Sequence, residues 1–127
     1  MLAGCAAPAR QRSACLLPGQ SPLIIAKLFF GRDVPNREPV SDAEWSEFVT
    51  RVVVANFPDG FTVLDAEGEG LDPRTSKLLR EPTKILIAAA DPDSEPAARI
   101  ASVINAYRKQ FNQRSVGVVT ALECGAF

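Results

Sequence analysis

The apolar residues of this chain change period in a fixed order: strand-like, helix-like, strand-like twice, helix-like, strand-like. That order restricts the fold more than any composition does. Leu23 to Gly31 is an apolar and aromatic run, ended by Gly31 and the turn-rich Arg32 to Pro39 segment, and reads as a first strand. Ser41-Asp42-Ala43-Glu44 is a capping box with Val40 and Trp45 at the staple positions, so a helix starts there. Trp45, Phe48, Val49, Val52 and Val53 continue it at helical spacing to Asn56, before Pro58-Asp59-Gly60 turns the chain. Phe61 to Leu64 reads as a second strand and Asp65 to Asp72, broken by Gly68 and Gly70, as a solvated extension or hairpin bend. After a turn at Pro73 to Ser76, Leu78 to Ala90 is a third strand. The continuous run Ile85-Leu86-Ile87 makes it central, and Pro82 marks a bulge or an exposed start. Asp91 to Ser94 leads into a second helix, Glu95 to Phe111, apolar at Ile100, Val103, Ile104, Tyr107 and Phe111, and Ser115 to Thr120 is the last strand.

This is the split βαβ pattern. It predicts an α+β, ferredoxin-like βαββαβ fold: a four-stranded antiparallel sheet with two helices on one face, and a spatial strand order of fourth, first, third, second. A chain of 127 residues holds one such domain, residues 21–127. Residues 1–20, rich in Ala, Pro, Ser and Gly and without periodicity, read as a flexible N-terminal tail. The sheet face away from the helices has nothing to cover it, and the outward residues of the first and third strands are partly apolar. That patch predicts contact with a second copy, as a homodimer through the sheet face, or with a small anionic or apolar ligand.

Composition narrows the chemistry. The chain has no histidine, which removes Ser-His-Asp and Cys-His triads, His-ligated zinc and His general bases. No cofactor motif is present, and the three cysteines lack the spacing of a metal knuckle, so neither cofactor nor metal is expected. Fourteen basic against 15 acidic side chains leave a net charge of -1, without the basic footprint that nucleic acid requires. The longest apolar run is interrupted at Lys27 and is far shorter than the roughly 20 residues of a membrane span.

The tail carries a different address. Leu2-Ala3-Gly4-Cys5 has the form of a lipobox, with Cys5 as the lipidated residue, although only four residues precede it. A start lying upstream would make the protein periplasmic or envelope-associated through a lipid anchor, and otherwise it is cytoplasmic. The expected topology brings the end of strand four, with Cys124, beside the start of strand one, and Cys15 lies eight residues ahead of Leu23. A Cys15–Cys124 disulfide is therefore within reach, and it would leave Cys5 free; three unrelated thiols are the alternative.

Five ordered strings carry a resemblance: Lys27 to Arg32; Val40 to Trp45; Phe57 to Gly60 with Val63-Leu64-Asp65; Arg80 to Lys84; and Tyr107 to Phe111 followed by Val116. Over nearly all of Ser21 to Phe127 the chain resembles the DUF3574 family, bacterial proteins of unknown function, many of which look like secreted lipoproteins. Where that family tends to carry an aromatic, this chain has Gly70. The resemblance implies export and the fold, and no particular activity.

Lys27, Arg32, Arg80, Glu81 and Lys84 come from the neighbouring first and third strands and are the candidate ligand-binding cluster, mostly basic, on or beside the open face. The same residues also fit solubilising gatekeepers or ion pairs such as Arg80 or Lys84 with Glu81. Asp65, Glu67 and Glu69 alternate on one side of a strand, as paired carboxylates or as an acidic edge that discourages aggregation. Trp45, Tyr107 and Phe29-Phe30 invite ligand stacking but fit core positions better. No motif supplies a catalytic residue. The preferred function is thus a non-catalytic binding or interaction module using the open face, with a small histidine-free enzyme acting on a hydrophobic or anionic metabolite as the alternative. A pocket of several hundred cubic ångströms with converging polar groups would favour the enzyme, and a flat apolar face would favour assembly.

Overall fold

The computed structural model describes residues 15–127. Cys5 and the rest of the lipobox lie outside them. The described chain is α+β, with β1 (Ser21–Gly31), α1 (Asp42–Phe48), a π-helical stretch (Val49–Val53), α2 (Val54–Asn56), β2 (Thr62–Leu71), β3 (Leu78–Ala90), α3 (Pro96–Gln110) and β4 (Gly117–Gly125). The four strands form one sheet in the order β2-β3-β1-β4, every pair antiparallel. Read from the other edge, this is the order expected from the sequence.

Local chemistry explains the helix starts. Ser41 accepts from the Glu44 amide at 3.1 Å and Glu44 Oε1 accepts from the Ser41 amide at 3.1 Å, so the capping box is closed at both ends. The π-helical stretch lets one helical run from Asp42 to Asn56 seat Trp45, Phe48 and Val53 together in the core. At the second helix Glu95 adopts a left-handed backbone (φ 58°) and Pro96 opens the first turn, a position where its missing amide costs nothing.

Strand alternation sets the two faces. Ala26, Leu28 and Phe30 on β1 and Leu86 and Ala88 on β3 are buried under the helices. Phe30 is the hub, with ring centroids 5.1 Å from Trp45 and 4.8 Å from Tyr107, so both helices close on one sheet face. Trp45, Phe30 and Tyr107 are therefore core residues.

Two strand ends and one expected bulge differ from the sequence reading. β2 runs on to Leu71, because Glu67, Gly68, Glu69 and Gly70 stay in register with Pro82, Glu81, Arg80 and Leu79; the expected bend is a continuous ladder. β4 extends to Gly125, paired to Ser21 of β1. Pro82 makes no bulge. It sits opposite Glu67, and its carbonyl accepts from the Arg32 amide at 2.9 Å where β1 has just ended, so the missing proline N–H interrupts nothing.

Candidate functional site

The five charged residues singled out in the sequence do not form one cluster. The register puts Lys27 and Glu81 on the open face, and Arg32, Arg80 and Lys84 on the helix side or its extension. Residues one or three apart on a strand point to opposite faces, which rules out the ion pairs expected from Arg80 or Lys84 to Glu81. The helix-side cations have other partners. Arg32 Nη2 lies 3.0 Å from Asp42 Oδ1 and its Nε donates to the Val40 carbonyl at 2.8 Å. Lys84 is buried, donates to Asp65 and lies 3.5 Å from Asp42. The Lys84 hydrogen bond, then its charge, hold the Asp65 carboxyl below the usual range. Arg80 Nε is 2.7 Å from Glu69 and 3.8 Å from Glu67. Asp65, Glu67 and Glu69 thus share one face, as their spacing suggests, and answer cations across the ladder.

Glu81 is left without one. Among the described residues it makes no ion pair. Its carboxylate is half-buried and accepts from the Asp33 amide at 3.1 Å. Burial pushes its pKa above the usual carboxylate value, the Asp33 amide opposes that rise, and the Asp33 charge adds to it.

The hollow around Glu81 is written into the small residues of the open face. Gly31 lies directly under the carboxylate, where a Cβ would collide with it, Gly68 is opposite Glu81 on β2, and Gly117 is opposite Phe29 on β4. The result is a concavity of about 460 Å³ walled by Phe29, Asp33, Thr83 and the Asn112–Ser115 loop, which brings in Arg114. Gln113 fixes that loop, its Nε2 donating to the Asp33 carbonyl at 2.7 Å and to the Phe111 carbonyl at 3.1 Å. From below, the buried Tyr107 hydroxyl donates to the Gly31 carbonyl at 2.7 Å. The sequence reading named Glu81 but missed Asp33, the 112–115 loop and the glycines. The three glycines were legible as gaps on one face once the register was known.

At the opposite end of the sheet, Cys15 and Cys124 are joined as a disulfide with Cα atoms 5.6 Å apart. Beside it, Asp91, Asp93 and Glu123 line a wider hollow of about 670 Å³. Among the described residues no group of three or more His, Cys, Asp or Glu side chains converges as a metal site. No helix among them is long and apolar enough to cross a membrane.

The fold and site define a small α+β domain that carries a half-buried carboxylate in a pocket at one end of an open antiparallel sheet. The chain belongs to the DUF3574 family, described as a protein of unknown function, whose family model matches residues 26–127. No curated protein matches it. Among solved structures it is similar to a phage SAM lyase in complex with S-methyl-5'-thioadenosine, at TM-score 0.60 and 13% identity over 83% of this chain and 90% of that one. It is also similar to a phage SAM lyase in the apo state, at TM-score 0.57 and 16% identity over 87% and 93%. At these identities the likeness is one of fold.

Proposed function

We propose that this ferredoxin-like domain is an exported, envelope-associated binding module whose ligand site is the Glu81 pocket. One observation carries the reading: a half-buried carboxylate, held over Gly31 and raised in pKa by burial, that makes no ion pair among the described residues although Arg114 also lines the pocket. A carboxylate kept in that state is costly unless something arrives to pair with it. The ligand that fits is a small molecule with a cationic or strongly hydrogen-bond-donating group for Glu81 and an apolar or aromatic part to lie on Phe29. This departs from the anion suggested by the basic cluster, because the charges of Arg32, Arg80 and Lys84 are already matched. The Cys15–Cys124 bridge supports an oxidising compartment, and with the lipobox at Cys5 it favours export with a lipid anchor.

A second reading, a small histidine-free enzyme, is favoured by the same carboxylate, since a raised pKa moves a general base toward working pH. The structural likeness to phage SAM lyase makes S-adenosylmethionine, a sulfonium cation, and S-methyl-5'-thioadenosine the first compounds to try. The test is calorimetry against a panel of organic cations that includes both. Binding that Glu81→Gln weakens roughly ten- to hundredfold supports the site. Binding that the substitution leaves unchanged contradicts it. Mass spectrometry of the same mixtures separates the readings, because only an enzyme changes the compound.

A further inference from the structure

We infer that the open sheet face is the docking surface for a second copy of this chain. Ile25, Phe29, Ile85 and Ile87 line its centre, with Leu64 (47% exposed) and Val119 (57% exposed) toward the two edges. Four strands about 4.8 Å apart and roughly ten residues long at about 3.3 Å each span on the order of 600 Å². Side-chain relief adds to that, and a standard interface needs about 800 Å² per partner. The face is thus the right size for one copy of itself and larger than the pocket's ligand needs.

Its charges also suit self-pairing. Lys27 lies near the middle and Glu123 toward the disulfide end, so a two-fold axis passing between them can set the lysine of each copy toward Glu123 of the other and leave Glu81 to the pocket. Two sheets packing face to face about 10 Å apart would bury the isoleucines of both and roof the mouth of the Glu81 pocket, since Phe29 belongs to both surfaces. This covering does not depend on what the pocket binds. Ligand calorimetry tests the site, and association tests the face.

The experiment is sedimentation equilibrium on the full chain in a Cys5→Ser background, so that no intermolecular disulfide reports as association. The expected mass is that of two chains. Ile85→Lys and Val119→Lys should each reduce it to one chain with an unchanged far-ultraviolet circular dichroism spectrum, and Val54→Lys, on the helical layer, should leave the dimer intact. If Ile85→Lys fails to fold, the more exposed Val119→Lys decides. A one-chain mass at about 100 µM overturns the inference, as does a dimer that survives both face substitutions. A monomer that dimerises only after residues 1–14 are removed also overturns it, by assigning the face to the chain's own N-terminal segment.

Discussion

Glu81 and Glu44 are both carboxylates near the surface, and their surroundings push them in opposite directions. Glu44 is lowered to about 2, first by hydrogen bonds from the Arg37 guanidinium and then by the Ser41 amide. Its folded pKa lies below the ordinary value of 4.5, so the stability it contributes is present above 4.5 and is lost as pH falls toward about 2. Glu81 is raised, so its folded form holds the proton more tightly than the unfolded chain does. Its contribution is favourable below 4.5 and is lost as pH rises through its raised value. Chemical denaturation across pH should therefore show Glu44→Gln removing part of the acid-side loss, and Glu81→Gln removing part of the decline above pH 4.5. The reverse assignment would contradict both environments. Gly31→Ala tests the seat of the carboxylate. The atoms nearest the new methyl group all belong to the end of the Glu81 side chain, which can turn away, so we expect a stability change under about 1 kcal/mol but loss of ligand binding, because Glu81 must swing out. Grouping Arg80, Glu81 and Lys84 as one cluster used their closeness in sequence and not the alternation of a strand. Alternation along β3 already sets Glu81 on the face opposite Arg80 and Lys84, and what only the long-range register supplies is their partners, Asp65 across from Lys84 and Glu69 across from Arg80.

The elements owe their legibility to local signals. The capping box, the helical stripe of Trp45, Phe48 and Val53, and the Ile85-Leu86-Ile87 run are all decided within a few residues, and each element formed where they stand. What was missed depends on partners. β2 through Gly68 and Gly70, and β4 through Ala121 to Gly125, have weak strand propensity and are held by the ladders of β3 and β1. The π-helical stretch has no local signature either, because core seating demands it. Ser41→Ala should cost about 1 kcal/mol by thermal or chemical denaturation, from loss of the cap. Tyr107→Phe should cost about 1 to 3 kcal/mol, because it leaves the Gly31 carbonyl without its buried donor. A further drop in ligand affinity would tie the hydroxyl to the pocket floor.

For the whole molecule, the disulfide and the open face matter most. Cys15 and Cys124 are 109 residues apart, and a loop of roughly 100 residues gives about 4.7 kcal/mol in the chain-entropy account. Cys15→Ser should therefore lower the denaturation midpoint markedly under oxidising conditions and leave it unchanged under reducing ones. An equal effect in both would place the stabilisation in packing rather than in the bond. The domain has a disulfide-tied end at the β1–β4 edge and a carboxylate pocket at the other end of the sheet, with an apolar field between them. Binding and assembly can therefore be separated by substitution.

Glu81 is a half-buried carboxylate without an ion pair among the described residues, and its own titration tests most directly whether it is held ready for a cation. Followed at its side-chain carboxyl carbon by nuclear magnetic resonance across pH, Glu81 should titrate with a midpoint above the ordinary 4.5 that falls when a cationic ligand is added. A midpoint at or below 4.5 in the free protein would contradict it, for the carboxylate would then already have its partner.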